Sequence, residues 1–570
     1  MKHFACIYWI ALTSILSVGI IKADEVQESM LKNLDFIHTI FQFHYAPGEW
    51  KNKYCKWDLN QEIQNAKDKV LNNEKKTFKD YQLIVRDFFK STRDYHVNVV
   101  FHSTESAILP FRVQGAKGKY YFNYIDRTKL SPSVFPINEG DELVFFDGRP
   151  TCQVIRELQE KEVGHTNENT DRAFAEIFLT RRLGSLGHEI PKGPVMISVK
   201  PSRSERIDSY QLMWNYTSEN IQPPRMAARS IPQNLPLLSA NQFFNKPMLS
   251  PLYEELIKIE PKEDEESKPL GAKKSLIPPL GKIWWQAGED NPFYAYLFET
   301  PNKKLIGYLR IPSYLGDETM VCECAKIINF FQERSEALVI DQINNPGGFV
   351  FYLNALASLL TNQPLACPKH RMAISQKEVA DALQLISILE KVQTDDEAKT
   401  LLGPTLKGTV VTYQVSRFLL EFCRFIVNEW NAGRTITEPC YLYGSDHINP
   451  SPYGHYDKPI LMLINSLDIS AADFCPAIFQ DNQRAVLFGT KTAGAGGYVL
   501  QQEFPNQLGI NYFRYTGSIA ERRDSSPIEN LGVAADIEYE LTSEDLQFGY
   551  KGYIQAIQNA LNKMLENSML

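Results

Sequence analysis

The spacing of apolar and polar residues changes twice along the chain, and each change predicts a different kind of structure. Apolar residues recur every three or four positions from about 25 to 93, which predicts a run of helices. From 110 to about 214 the apolar runs shorten, and residues 118–125 alternate as in a half-buried strand. From 280 to 570 strands alternate with helices, which is typical of an α/β domain, and a mostly helical insertion is expected at about 375–429.

The segment between these regions, residues 217–279, has a different composition. Ten prolines fall in it, together with the acidic run 260–266. Proline removes a backbone donor and fixes φ, so we expect no regular element of any length here. The segment is therefore predicted to be a solvated linker that proteases can reach.

The β-rich region carries a glycine and aspartate pattern around one strand. Gly140 and Asp141 precede the apolar residues 143–146, and Asp147 and Gly148 follow them as a predicted two-residue turn. This arrangement resembles a PDZ module, which binds extended peptides at the edge of its sheet. A small β-domain without a ligand of its own fits about equally well. We expect a PDZ-like domain at 106–216.

The stretch 459–480 is a candidate position for a nucleophile. An apolar run of strand length leads to Ser470, and a helical pattern follows it. A hydroxyl at such a turn is lifted off the end of a sheet, and the first helical amides, such as that of Ala471, can face a developing oxyanion. The turn Asn-Asn-Pro-Gly-Gly that ends at Gly348 offers further amides. The alternative is that Ser470 only caps the helix.

Composition and charge exclude several classes of function. The 570 residues are 44% hydrophobic, which is enough for several packed domains. The net charge is -8 and no long basic block is present, so neither nucleic acid nor an anionic membrane is an expected partner. The nine cysteines are scattered, without histidines at metal-ligand spacing. We predict no metal, no cofactor and no disulfide framework.

The N-terminus has the form of a secretory signal peptide over residues 1–23. Lys2 and His3 precede an apolar run that ends near Ile20, and Ala23 is a small residue at a plausible cleavage point. We expect a secreted mature chain that begins near Asp24 with a helical domain at 24–105. No second apolar run approaches about 18 residues, so no stable membrane anchor is predicted.

A serine nucleophile needs a general base, which in turn needs an orienting acid. His96 and His102 both lie where the helical region gives way to the first strand, and spacing alone does not choose between them. Glu529 by itself is typical of a solvated loop carboxylate. The glycine-rich loop 489–497 lacks the ending of a phosphate-binding loop, but it permits the close approach of an extended substrate.

Several short motifs together resemble an exported branch of the tail-specific, or C-terminal processing, serine peptidases. The resemblance covers nearly the whole mature chain and is carried by Asp94-Tyr-His96, residues 340–348, 368–372, Ser470-Ala-Ala-Asp-Phe474, 489–497 and 528–533. It implies that Ser470 is the nucleophile, His96 the general base and Glu529 the orienting acid. It also implies oxyanion donors near Gly348 and Ala471.

The resemblance implies an α/β catalytic core of the crotonase-like type, joined to the helical and PDZ-like domains. It further implies protein substrates, activation by self-cleavage and a homodimeric active form, with 217–279 as the candidate inhibitory or cleaved segment. Many tail-specific peptidases instead use a Ser-Lys dyad with the lysine in the glycine-rich loop, so Lys491 is an alternative base. A non-catalytic peptide-binding protein on the same scaffold is the competing function.

Overall fold

The N-terminal region is helical, as its periodicity predicts. The computed structural model describes residues 25–72, 77–220, 244, 247–260 and 268–567. Four helices open the described chain: 25–44, Gly48–Cys55, Leu59–Asn72 and Phe78–Ser91. The last of them is capped by Thr77, whose hydroxyl accepts the N–H of Asp80 at 3.1 Å. The predicted signal peptide lies outside the described residues.

These helices share their hydrophobic core with strands from the far end of the sequence. The first strand, Asn98–Phe101, pairs antiparallel with Ile510–Thr516, which pairs in turn with Val499–Gln502. Phe513 packs between Phe41 and Phe89, with ring centroids 6.4 and 5.3 Å away. The segment just before the first strand, which contains His96, is therefore held against the α/β region.

The β-rich region is a sheet packed against two helices. Its strands are Phe111–Ala116, Lys119–Ile125, Glu142–Phe146, Arg149–Pro150, Pro194–Lys200 and Asp208–Met213, and its helices are Thr151–Leu158 and Glu168–Thr180. Asp147 and Gly148 have φ values of 52° and 75°, and Phe146 pairs with Arg149 across them. The predicted two-residue hairpin turn is confirmed. Short strands at Ser106–Ile108, Arg181–Leu183 and Asn215–Thr217 form a sheet beside it.

A seven-stranded sheet forms the centre of the α/β region. In spatial order its strands are Lys282–Gln286, Ala295–Glu299, Leu305–Arg310, Ala337–Asp341, Ile460–Ile464, Val486–Gly489 and Ile537–Glu538. The first three are antiparallel and the rest continue in parallel. The two central strands are buried along their whole length because helices cover both faces, which explains their unbroken apolar sequences. The carboxyl ends of the parallel strands share one edge of the sheet.

Helices and short strands complete this region. The helices are Glu318–Arg334, Val350–Ser358, Gln376–Leu389, Asp395–Leu402, Tyr413–Asn431, Ala471–Asp481, Ser543–Gln547 and Lys551–Asn567. The short strands are Gly347–Phe349, Leu365–Ala366, Lys369–Met372, Thr405–Leu406, Thr409–Val410, Cys440–Tyr441, His447–Ile448 and Ser518–Glu521. Three of these helices form the predicted insertion. Within the described ranges, no helix is both long and apolar enough to cross a membrane.

The prediction for 217–279 is wrong in one part. A strand at Pro247–Leu249 and a helix at Pro251–Ile259 lie inside this segment, and both pack on the α/β region. Pro251 begins the helix, a position where the missing N–H removes no helical hydrogen bond. Glu260, the first residue of the acidic run, is buried and ion-paired with Arg181 rather than solvated. Residues 221–243 and 261–267 lie outside the described parts.

Candidate active site

Ser470 stands at the turn between the buried strand Ile460–Ile464 and the helix Ala471–Asp481. Its φ of 66° and ψ of -117° are strained for a residue with a side chain. Its N–H donates to Asp473 Oδ2 at 2.8 Å, while its Oγ is buried without a hydrogen-bond partner among the described residues. The Asp473 N–H donates to the Ser470 carbonyl at 2.8 Å, so the Ser470 hydroxyl is not the acceptor of this helix amide. The hydroxyl is left available for chemistry.

Asp473 joins the Ser470 turn to the glycine-rich loop. Besides the Ser470 amide, its carboxylate accepts the Thr492 hydroxyl at 2.6 Å and the amides of Gly494 and Ala495 at 2.8 and 3.0 Å. Burial raises the pKa of this carboxyl to about 6, against the opposing effect of its hydrogen bonds. Four donors on one buried carboxylate fix the turn and the loop relative to each other.

The Asn-Pro-Gly-Gly turn lies against Ser470. A side chain on Gly347, whose φ is 95°, would place its Cβ 2.9 Å from Ser470 Cβ and 2.7 Å from the Ile469 carbonyl oxygen. The Ile469 N–H donates to the Asn345 carbonyl at 3.0 Å, which holds the two turns together. Ala471 is the first residue of its helix, where amides have no intrahelical acceptor. Gly347 therefore packs directly on the Ser470 turn, and Ala471 opens the helix that follows it.

The strand Pro247–Leu249 covers this turn. It pairs antiparallel with Gly347–Phe349, with Met248 opposite Gly348. The Ser250 N–H donates to the Pro346 carbonyl at 2.8 Å. Because hydrogen-bonded pairs alternate along an antiparallel ladder, Met248 and Gly348 form the next such pair, and the Gly348 N–H faces the Met248 carbonyl. A predicted oxyanion donor is therefore engaged by the chain itself.

His96 is fully buried in the segment that leads into the strand Asn98–Phe101. The backbone N–H of His96 donates to Asp94 Oδ1 at 2.9 Å, and neither nitrogen of the imidazole ring has a hydrogen-bond partner in the described structure. Burial lowers the pKa of the imidazole to about 4, an effect that Asp94 opposes. The neighbouring Tyr95 shares an apolar cluster with Ile469 and residues of the glycine-rich loop. The competing histidine, His102, is exposed.

Glu529 is also buried, contrary to its ordinary appearance in the sequence. Its Oε2 accepts the Gly496 N–H at 2.9 Å, and its Oε1 accepts the Lys51 ammonium at 2.5 Å. Burial, helped by repulsion from Asp94, raises the pKa of this carboxyl to about 7 against the attraction of Lys51. In this conformation Lys51 and the Gly496 amide hold the carboxylate, and no hydrogen bond joins it to His96.

Lys491, the alternative base, is exposed on the glycine-rich loop, whereas Ser470 is 0% exposed. No hydrogen bond between the two side chains is present in this structure. Its neighbour Thr492 is buried and bonded to Asp473. Lys491 therefore makes no hydrogen bond to the Ser470 hydroxyl in this structure.

Sequence reasoning missed two buried charged residues of this site, Lys51 and Asp473. Asp473 is the only charged residue in 471–479, the apolar part of its helix, which is a signal that could have found it. Lys51 follows Trp50 in a helix whose composition is polar, so nothing in its local pattern indicates burial.

A buried, strained serine at a strand-to-helix turn, beside a glycine turn and a buried histidine, defines a serine peptidase, here carried on an α/β core with a PDZ-like domain. The chain belongs to peptidase family S41, whose model matches residues 305–539, and a PDZ domain model matches 105–222. The predicted fold class and enzyme class are confirmed.

The relatives extend over nearly the whole chain. A protein of Chlamydia muridarum is 35% identical over 95% of this chain and 94% of its own length. The structure of mature CPAF complexed with lactacystin is 33% identical, with a TM-score of 0.81 over 95% of this chain and 99% of that one. A crystal structure of a CPAF mutant is 33% identical, with a TM-score of 0.83 over 95% and 98%. The similarity to these proteins therefore spans the helical, PDZ-like and α/β regions.

Proposed function

We propose that this peptidase cleaves proteins with Ser470 as nucleophile, His96 as general base and Glu529 as the acid that orients the histidine. The observation that carries the proposal is the Ser470 hydroxyl, which is buried at a positive-φ turn and makes no hydrogen bond within the described structure. A serine that served only as a cap would direct its hydroxyl to a helix amide, whereas the Asp473 N–H here donates to the Ser470 carbonyl at 2.8 Å.

The first step forms a bond between Ser470 Oγ and the substrate carbonyl carbon. The hydroxyl proton passes to a ring nitrogen of His96, and the carbonyl electron pair moves onto its oxygen. His96 suits this role because burial keeps its pKa low and its imidazole neutral, ready to accept a proton. The amides of Gly348 and Ala471 would stabilise the oxyanion.

The second step breaks the carbon–nitrogen bond and returns the proton from His96 to the leaving amine. The acyl-serine is then hydrolysed when water transfers a proton to His96 and attacks the same carbon. The carbon–Oγ bond then breaks as His96 returns that proton to Ser470 Oγ, which releases the acid product. While His96 carries the proton it is an imidazolium, and the Glu529 carboxylate would fix its tautomer and offset its charge. This role requires a hydrogen bond between Glu529 and His96 that forms on activation.

We infer that the described conformation is that of an inhibited precursor. The strand Pro247–Leu249 supports this, because it occupies the ladder position that an extended substrate would take on Gly347–Phe349. The helix that follows, Pro251–Ile259, is held in place by hydrogen bonds to the carboxylate of Glu255. Glu255 accepts hydrogen bonds from the Tyr512 and Ser185 hydroxyls at 2.7 and 2.9 Å. Self-cleavage within 217–279 would release this segment and free the Gly348 amide.

The resemblance to exported peptidases supports two further parts of the proposal. Residues 1–23 direct export of the chain, and the active enzyme is a homodimer. N-terminal sequencing of secreted protein tests the first, with Asp24 expected as the first residue. Analytical ultracentrifugation before and after activation tests the second, and an active species with the mass of a single chain would contradict it.

The experiment that tests the proposed function compares the wild-type chain with Ser470→Ala in cleavage of an unstructured protein such as casein. A loss of about 10⁴-fold or more is expected in the variant, as for other serine nucleophiles. Ser466→Ala is the matched control, since Ser466 belongs to the same strand-to-helix connection. Its backbone carbonyl accepts the Thr170 hydroxyl, and the substitution leaves this carbonyl in place. Retained cleavage by Ser470→Ala would remove Ser470 from the mechanism.

A further inference from the structure

Lys51 is a buried cation at the junction of the elements that carry the proposed base and acid. It lies in the helix Gly48–Cys55, far from Ser470 in sequence, and its side chain is 0% exposed. A lysine without solvent contact is rare unless an anion compensates it. Its position therefore needs a reason beyond helix stability.

The ammonium group uses all three of its donors on the site. Nζ donates to Glu529 Oε1 at 2.5 Å, to the Arg93 carbonyl at 2.7 Å and to Asn530 Oδ1 at 2.8 Å. The Arg93 carbonyl lies three residues before His96, and it also accepts the Asn530 side-chain amide at 2.8 Å. Lys51 thus binds the segment of the base and the loop of the acid through one nitrogen atom.

Lys51 is the cation that pairs with the Glu529 carboxylate. The carboxylate has one other hydrogen bond, from the Gly496 N–H, and Asp94 is a second buried carboxylate in the same region. Two neighbouring buried carboxylates repel each other, and without a cation one of them takes up a proton. A protonated Glu529 would carry no charge to offset an imidazolium at His96.

We propose that Lys51 is a positioning residue of the peptidase, which favours the ionised form of Glu529 and holds the Glu529 loop against the His96 segment. This inference rests on the proposed function of Glu529 and His96. Lys51 does not touch the substrate or the reacting atoms. Its effect on the reaction passes through Glu529.

A purely structural lysine would make different predictions. Loss of a structural ion pair would lower stability at all pH values and leave the pH dependence of catalysis in place. Loss of the charge that keeps Glu529 ionised would raise the pKa of Glu529. The positive charge of Lys51 also lowers the pKa of His96, so its removal raises that pKa too. Both shifts move the acid limb of the kcat/KM profile to higher pH.

The test measures kcat/KM against pH for the activated wild-type enzyme and for Lys51→Gln, Lys51→Arg and Arg86→Gln. Arg86 is the matched control, because it forms a buried ion pair with Glu162 at 2.8 Å and its other hydrogen bonds go to the carbonyls of Gly187 and Lys161, outside the proposed triad. Thermal unfolding of each variant is recorded in parallel. Ser470→Ala reports how much of the hydrolysis depends on the nucleophile.

We expect the acid limb of Lys51→Gln to move up by about one pH unit or more, with a loss of at least about tenfold at pH 6. Lys51→Arg keeps the cation and should keep the limb at its wild-type pH. Arg86→Gln should unfold at a lower temperature without moving the limb. A folded Lys51→Gln enzyme with the wild-type limb would overturn the inference.

If Lys51→Gln does not accumulate as folded protein, Lys51→Arg decides. A wild-type limb with kcat/KM within about tenfold of wild type supports the role of the charge. The inference is refuted if the acid limb of Lys51→Arg is displaced. It is also refuted if Lys51→Arg unfolds at the same temperature as wild type but its kcat/KM falls by much more than about tenfold. A wild-type chain without Ser470-dependent hydrolysis would overturn the proposed function as well, and that outcome is distinct from an unmoved limb in an active enzyme.

Discussion

Met248 lies opposite Gly348 in a short antiparallel ladder, so the chain places its own backbone against the turn that is predicted to bind the oxyanion. Met248 is buried at 1% exposure, and its side chain joins the same apolar core as the Ser470 helix. The segment that would inhibit the precursor is therefore held both by backbone pairing and by apolar burial.

The first prediction concerns this strand. Met248→Asp places a carboxylate in an apolar core, which costs several kcal/mol and should displace the strand. We expect the uncleaved chain to hydrolyse casein at least about tenfold faster than the uncleaved wild type, with gel electrophoresis confirming that it is intact. Met213→Asp, at an exposed methionine, should have no effect. An uncleaved Met248→Asp chain that is folded and as inactive as wild type would refute the inhibitory role.

The second prediction separates triad from dyad. His96→Ala should lower kcat by about 10²-fold to 10⁴-fold, since it removes the general base. Lys491→Ala should change kcat by no more than about twofold, as expected for an exposed side chain. His102→Ala serves as the control for a nearby exposed histidine. A fully active His96→Ala enzyme, with Lys491→Ala inactive, would establish the dyad instead.

The third prediction concerns the carboxylate that fixes the nucleophile turn. In Asp473→Asn one oxygen becomes an NH₂ group that faces donors, so buried amides of the loop lose their acceptor. We expect a loss of about 2–4 kcal/mol in the free energy of unfolding, measured by chemical denaturation, together with reduced activity. Asp481→Asn, at the partly exposed end of the same helix, should cost about 1 kcal/mol or less. Equal losses in the two variants would contradict this account of Asp473.

The fourth prediction follows from the low pKa of His96. Its folded pKa is about 4, below the ordinary value of 6.5, so between these pH values the unfolded chain binds a proton that the folded chain does not. The corresponding stability is present above pH 6.5 and is lost as the pH falls towards 4, by about 3 kcal/mol in all. His96→Asn should remove this part of the acid sensitivity of the precursor in chemical denaturation, whereas His102→Asn should not. An unchanged slope in His96→Asn would show that His96 has the same pKa in the folded and unfolded chains.

Local sequence patterns predicted many helices and strands, because the spacing of apolar residues along a segment reflects which of its faces are buried. Helical periodicity found the helices of 25–91, and the unbroken apolar runs found the central strands of the sheet. The strand Ile510–Thr516 was not predicted, because its role depends on pairing with Asn98–Phe101 some four hundred residues earlier. The helix Pro251–Ile259 was hidden by its prolines, although proline is well tolerated at a first helical position.

The site was predictable only in part, for a similar reason. Ser470 could be predicted from the strand, the turn and the helix around it, because these elements are continuous in sequence. Glu529 and Lys51 do not, because a carboxylate in a loop and a lysine in a polar helix have the same local pattern whether buried or exposed. Only their tertiary pairing, 478 residues apart in sequence, marks them as part of one site.

The most direct test of the central claim is to treat the activated enzyme with a fluorophosphonate and locate the adduct by mass spectrometry. Ser470 should carry the label, and both Ser470→Ala and His96→Ala should lose it, because attack requires the hydroxyl and the base that removes its proton. An adduct on another residue, or an active enzyme that leaves Ser470 unmodified, would contradict the assignment of Ser470 as the nucleophile.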